Sequence, residues 1–410
     1  MQPIMRLFIL SLLFLLASCG GKPTSPGLPL FLKKKTNDNA LTYNRSLTDY
    51  TVIEIDKALL DSLVKWQKPE VVIDIPYKDE VFTAELKVFN LFDDSFKVNS
   101  TRGSESYNKG LHYSGSIKDH PGSFISLSIF EDETNGVIST AKHGNLNIGK
   151  SSLKSEYLVF NEDDTRTAVE FNCLSPDEGY TTPQLEKLKE VQRLVKRTPG
   201  EVVSRCVSVD FEITFPAYQK LGSVQAVSNW FTSLFSGVKA LFAREGIDMT
   251  IKSLYIHTTE DGYSDNPAAA LNQLLTKRSK DPNFTGSFTH LVDFKTTGLS
   301  GLAYVGVLCV PSHRFGYSAV LQSYASYPAY SWSTMVLTHE LGHNMGSPHT
   351  QWCGWVGGAL DNCYTTEGGC PPGPAPTNGG TIMSYCHTKS YGINFANGFG
   401  TQPHDKIMGY

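Results

Sequence analysis

The sequence predicts an α/β (α+β) chain: a mixed, twisted sheet with one long helix packed beneath it, preceded by a β-rich N-terminal domain. Three observations predict this. Residues from about 50 to 172 carry short apolar runs of strand character separated by turn residues. From Cys206 onward, strand-like runs alternate with helical ones. Between them, residues 174–204 become charged and close on Pro199-Gly200, the composition of a linker. The 410 residues are too many for one hydrophobic core, and 40 % hydrophobic with 19 % charged is an ordinary globular balance. A net charge of −4 gives no electrostatic case for nucleic acid. The expected division is residues 1–18 as a signal peptide, 19–49 as a tether, 50–173 as the β-rich domain, 174–204 as the linker and 205–410 as the α/β domain. A monomer is expected.

The first element is an address. Arg6 precedes the apolar run Leu7–Leu16, which is too short to span a bilayer and suits a signal segment. It ends in Leu16-Ala17-Ser18-Cys19-Gly20, which resembles a bacterial lipobox. That resemblance implies cleavage before Cys19 and a diacylglyceryl group on its sulfur, hence export and a lipid anchor in the cell envelope. The alternative is an ordinary signal peptide cut near Ala17. Lys22–Gly27 then reads as a flexible tether.

In the β-rich stretch, Val71–Ile75, Phe82–Val88 and Phe124–Ile129 read as strands, with Asp132–Gly136 as a turn signal. His112, His120 and His143 are scattered and are expected at the surface. In the linker, Gln184–Arg197 is charged throughout, and Lys196-Arg197 offers an accessible site for proteolytic nicking; a merely solvated helix is the alternative.

The second half opens with a period-two strand over Cys206–Phe215. Val224–Glu245 follows as an amphipathic helix, with Val227, Trp230, Phe231, Leu234, Val238, Leu241 and Phe242 at helical spacing and Gly246 closing it. Met249–His257 reads as a second strand, and Pro267–Leu275 as a helix opened by Asn266 and Pro267. His290–Phe294 and Leu302–Val310 are the third and fourth strands. Ser331–Met345 is a long helix.

That helix carries the chemistry. His339-Glu340-Leu341-Gly342-His343-Asn344-Met345-Gly346-Ser347-Pro348-His349 places three imidazoles and a carboxylate at the spacing of an open zinc site. His339 and His343 share one helix face. Glu340 falls beside the metal position, where the general base for a zinc-bound water has to stand. Gly346 lets the backbone leave the helix so that His349 returns as the third ligand. Three protein ligands leave the fourth position to water, the mark of a catalytic rather than a structural zinc.

Export also places Cys173, Cys206, Cys309, Cys353, Cys363, Cys370 and Cys386 in an oxidising compartment. Seven is odd, so one thiol is left over. Cys353–Cys386 with Cys363–Cys370 is the expected pairing below the zinc motif, although the spacing permits others. Cys206–Cys309 is the expected third bridge, leaving Cys173 single.

His-Glu-x-x-His-x-x-Gly-x-x-His followed by Gly380-Thr381-Ile382-Met383-Ser384-Tyr385 resembles the metzincin signature, with Met383 as the Met-turn residue. Within that class the chain is similar to the reprolysin (adamalysin/ADAM-like) branch. Gly301–Ser312 resembles the branch's upper edge strand and Thr338–Met345 its active-site helix, while His112–Gly115 and His120–Ser128 resemble a reprolysin propeptide. Two departures stand out. Thr350 follows the third His where reprolysins usually carry an Asp that ties this region to the Met-turn. Met383-Ser384-Tyr385 is similar to astacins and serralysins, whose Tyr ligates zinc reversibly and steadies the oxyanion, so Tyr385 is a candidate for that role.

The resemblance implies a zinc-dependent endopeptidase. Peptide substrates would lie antiparallel to the edge strand at Leu302, Ala303, Tyr304, Val305 and Gly306, with Glu340 moving the proton from zinc-bound water to the leaving amine. It also implies a zymogen in which the Cys173 thiolate takes the fourth zinc position, although Phe171–Pro176 does not match the usual switch context; a free or structural thiol is the alternative. Some relatives bind Ca²⁺, but no acidic loop of dedicated ligand spacing stands out here. Two alternatives remain at this stage: a surface binding or adhesion lipoprotein on a protease-like fold, against which Glu340 speaks, and a zinc amidase acting on cell-wall peptide.

Overall fold

The computed structural model describes residues 27–34, 47–151, 156–164, 171–175, 205–295, 299–308, 310–321 and 330–409. The signal segment, Cys19, the nickable Lys196-Arg197 and Cys309 lie outside these, as does the Cys206 side chain. Among the described residues no helix is long and apolar enough to cross a membrane.

The N-terminal half is β-rich, as expected. Its strands are β1 (Phe31–Lys33), β2 (Thr51–Ile55), β3 (Glu70–Tyr77), β4 (Glu80–Val88), β5 (Phe92–Ser100), β6 (Gly103–Glu105), β7 (Leu111–Ile117), β8 (Phe124–Ile129), β9 (Thr134–Thr140), β10 (Gly144–Lys150) and β11 (Tyr157–Asn161). One short helix, α1 (Lys57–Trp66), is started by the Asp56 carboxylate, which accepts from the Leu59 amide. Nine strands form a wholly antiparallel sheet in the order β1-β2-β11-β10-β9-β8-β7-β4-β3. Its inner face is filled by Ile73, Ile75, Ile125, Leu127, Ile138 and Ile148.

The remaining two strands belong elsewhere. With β12 (Phe171–Cys173), β13 (Arg205–Ile213), β14 (Ile247–Ile256), β15 (Phe288–Lys295), β16 (Leu299–Ala303) and β17 (Phe315–Leu321), they make a second sheet ordered β12-β16-β17-β15-β13-β14-β5-β6. It is mixed: β5, β14, β13, β15 and β17 run parallel, and β16 runs antiparallel to β17.

Five helices complete this half: α2 (Phe215–Leu221), α3 (Val224–Arg244), α4 (Pro267–Arg278), α5 (Tyr330–Asn344) and α6 (Thr401–Met408). Ser223 caps α3 and Asn266 caps α4, each accepting from the amide three residues on. The apolar stripe of α3 packs in the larger core. Its other face, Ser228, Thr232, Ser233 and Ser236, is buried as well, because the N-terminal sheet closes over it. Gly237 lets α3 approach α5: a Cβ there would stand 3.0 Å from Thr334 Cγ2. The first turn of α5 is in turn capped from the N-terminal sheet, with the Ser331 amide donating to Asn147 Oδ1 at 2.7 Å.

Two expectations need correcting, and one strand went unread. The fourth strand is Leu299–Ala303 rather than Leu302–Val310, because Gly306 turns the chain at φ 68° onto the end of α5. There the Gly306 and Val307 amides donate to the His343 and Asn344 carbonyls. A strand at Phe315–Leu321 carries no alternating signal, because Phe315 to Val320 is buried without interruption. His112 is a core residue, with Nδ1 2.8 Å from Ser128 Oγ and Nε2 3.0 Å from the Lys109 carbonyl oxygen.

Candidate metal centre

Every residue of α5 is buried, since the second sheet, α3 and the N-terminal sheet surround it. His339 and His343 stand one turn apart, with ring centroids 4.8 Å from each other. Gly346 then takes φ 106°, and its amide donates to the His343 carbonyl, so the chain reverses and His349 returns to within 4.6 Å of the His343 ring.

The rings are aimed from behind. Nδ1 of His339 is 2.8 Å from the Ile382 carbonyl oxygen, and Nδ1 of His343 is 2.7 Å from that of Ser347. Their Nε2 atoms therefore face inward. His343 Nε2 and His349 Nε2 are 3.1 Å apart, and Cys173 Sγ is 3.4 Å from His343 Nε2. One donor atom from each of His339, His343, His349 and Cys173 lies within 4.8 Å of every other. His339 Nε2 is fully buried with no hydrogen-bond partner, an arrangement that costs free energy unless a cation takes the lone pair. Burial and the two neighbouring imidazoles hold His339 well below the usual histidine range, the neutral form a ligand needs. The donor set of three imidazoles and a thiol fits zinc.

Glu340 is buried beside these ligands. Oε2 accepts from Ser175 Oγ at 3.3 Å, while Oε1 has no partner. Burial pushes its carboxyl up to about 8. Burial, and next the Glu340 charge, likewise raise the Cys173 thiol. Gly301 of β16 makes room for the carboxylate: a Cβ there would fall 1.8 Å from Oε1.

Met383 is buried beneath the helix, and a Cβ on Gly342, between the two helical ligands, would meet its sulfur at 2.7 Å. With Thr350 in place of an acid, the tie to this turn is made by the main chain, the Thr350 amide donating to the Met383 carbonyl at 3.1 Å. Tyr385 lies 5.0 Å from the His349 ring, and its hydroxyl donates to the Cys173 carbonyl at 2.9 Å.

The segment Phe171–Ser175 fills the cleft. Its strand β12 runs parallel to β16, in the register Phe171↔Leu299 to Cys173↔Gly301. The Leu174 amide donates to the Gly301 carbonyl, and the Ala303 amide donates to Ser175 Oγ. Phe171 is wedged among Trp332, His339 and His387. Of the five expected edge-strand residues, Leu302 and Ala303 are in β16, while Tyr304, Val305 and Gly306 belong to the turn that follows.

The disulfides cross rather than nest. They are Cys353–Cys370 and Cys363–Cys386, with Cα atoms 5.6 and 4.8 Å apart, instead of Cys353–Cys386 and Cys363–Cys370. The chain turns back so that Glu367 pairs beside Gln351 and Cys353, which delivers Cys370 to Cys353. Among the described cysteines, Cys173 is the unpaired one, and it is buried. Sequence reading missed Ser175, Phe171, Trp332 and Glu367. Of these, Phe171 and Ser175, each two residues from Cys173, sit beside a recognised signal.

Residues 203–395 match the reprolysin family model described as Metallo-peptidase family M12. Among solved structures, the chain is similar to metalloproteinase-II from Bacteroides fragilis, at 12 % identity and a TM-score of 0.42, over 89 % of this chain and 96 % of that one.

Proposed function

From the premise that residues 203–395 are a reprolysin-type metzincin metallopeptidase region of family M12, we propose that the protein is a zinc-dependent endopeptidase made as a self-blocked precursor. His339, His343 and His349 hold the metal through Nε2. When bound, zinc supplies a Lewis acid for the scissile carbonyl and lowers the pKa of a coordinated water to about 7. Glu340 accepts the proton of the attacking water and returns it to the leaving amine. Its buried position, with Oε1 free of partners, supports that role. Tyr385 steadies the developing oxyanion, since its hydroxyl already holds a peptide carbonyl, that of Cys173. Met383 supplies the apolar floor.

Protein or peptide substrates add to β16, using the Gly301 carbonyl and the Ala303 amide that Leu174 and Ser175 engage in the precursor. Cys173 acts as the latency donor at the metal's fourth position. Cleavage within residues 174–204 precedes activity. The lipobox-like Leu16–Gly20 supports a lipid on Cys19, and with it a monomer anchored at the cell envelope.

The observation that carries this reading is the convergence of three inward-facing imidazoles beside a buried, half-satisfied glutamate. Zinc analysis and casein or gelatin cleavage by the processed protein test it. Glu340→Ala is expected to keep the zinc and lose cleavage. Retained cleavage, or a processed protein without zinc, overturns it.

A further inference from the structure

We infer that Glu367 is a positioning residue for His349, fixing the third ligand from a disulfide-stapled loop; this rests on the zinc reading above. The other two ligands each present Nδ1 to a main-chain carbonyl, those of Ile382 and Ser347. His349 differs. Its Nδ1 lies 3.3 Å from Glu367 Oε1, with the ring almost fully buried. With Nε2 given to the metal, Nδ1 carries the proton and faces an anionic acceptor. A carboxylate there fixes the tautomer and the ring plane and makes the imidazole a stronger donor.

The loop is built to hold that carboxylate still. The Glu367 amide donates to the Gln351 carbonyl at 3.0 Å, and the Cys353 amide donates to the Glu367 carbonyl at 2.8 Å. Gln351 Nε2 donates to the same Oε1 at 2.9 Å, so the oxygen is held between the Gln351 amide and the His349 ring. The Cys353–Cys370 bridge closes the loop just beyond. Thr350, adjacent to the ligand, brings no charge, and its buried hydroxyl has no partner. Glu367 therefore supplies the one carboxylate placed against the back of a ligand ring among the described residues.

The test is zinc affinity of the full chain, read by competition with a chromophoric chelator. Glu367→Ala is expected to weaken binding by about 10- to 100-fold, and Glu367→Gln, which keeps the shape and a neutral acceptor, by less. Gln351→Ala, which removes the loop bond and leaves the carboxylate, is expected to bind nearly as the unaltered chain does. The Co²⁺-substituted absorption spectrum should shift in the Glu367 variants alone. Unaltered affinity in both Glu367 variants overturns the inference, and so does an equal loss in Gln351→Ala, which would assign the effect to the loop. Should Glu367→Ala fail to fold, Glu367→Gln with the cobalt spectrum decides. An unaltered chain that binds no zinc defeats the underlying function instead.

Discussion

A methyl group at position 301 would occupy the space of the Glu340 carboxylate, so backbone and base are fitted to each other atom by atom. In the precursor β16 is paired on both sides, and in the processed enzyme its pairing with β17 still holds Gly301 in register. Gly301→Ala is expected to lower kcat/KM of the processed enzyme by about 100-fold through misplacement of the base, with zinc content unchanged. Steady-state kinetics on a peptide substrate checks this. His112 gives a second residue-scale prediction. Burial holds it down to about 4 in the folded chain, against 6.5 when unfolded. The unfolded chain therefore takes up the proton first, and the folded state loses stability as pH falls from 6.5 towards 4. His112→Gln removes that dependence, so its deficit in thermal midpoint at pH 7 should narrow at pH 4.5. A constant gap would contradict the assignment. The contrast between these residues shows what could be read in advance. The three histidines and Glu340 lie within eleven consecutive positions, where helical spacing brings His339, Glu340 and His343 together and the Gly346 reversal returns His349. His112 carries no local pattern, and Glu367 reaches His349 only after a reversal of the chain.

At the scale of elements, β12 matters most. Three residues of strand and two beyond engage the ligand cluster through Cys173 Sγ, Tyr385 through the Cys173 carbonyl, and both Glu340 and the Ala303 amide through Ser175. The thiol is one hold among several. Cys173→Ala in the precursor is expected to give partial cleavage activity, and Cys173→Ala with Ser175→Ala to give more. Fluorogenic peptide hydrolysis by unprocessed protein measures both, and a silent double variant would refute the blocking role. Sequence periodicity located α3, α4, α5 and most of the strands they join. It read α3 as having one buried face, because Ser, Thr and Gly on the other look solvent-ready. They are small and polar enough to pack against a second sheet, and no local signal distinguishes that from exposure. β17, buried from Phe315 to Val320 with Gly316 and Ser318 among its residues, likewise has no alternation to find.

For the whole molecule, the two halves are joined in more than one place. The N-terminal sheet covers α3 and caps α5 through Asn147, while β5 and β6 extend the second sheet beyond β14. Which sheet Phe92–Ser100 would join is invisible in its residues, since Asp93-Asp94-Ser95 and Lys97 suit any partly exposed strand. Cutting the chain within residues 174–204 should therefore leave the fragments together. Size-exclusion chromatography after limited proteolysis is expected to show co-elution until mild denaturant or further digestion separates them. The parallel ladder between Ile251–Ile256 and Phe92–Ser100 has a further effect once the N-terminal piece is destroyed. The liberated peptidase would carry a raw margin of unpaired amides and carbonyls along Ile247–Ile256, the kind of border on which chains stick to one another. Loss of the N-terminal piece would thus trade latency for a propensity to clump, and a lipid on Cys19 would leave with that piece, so it could not space the liberated copies apart.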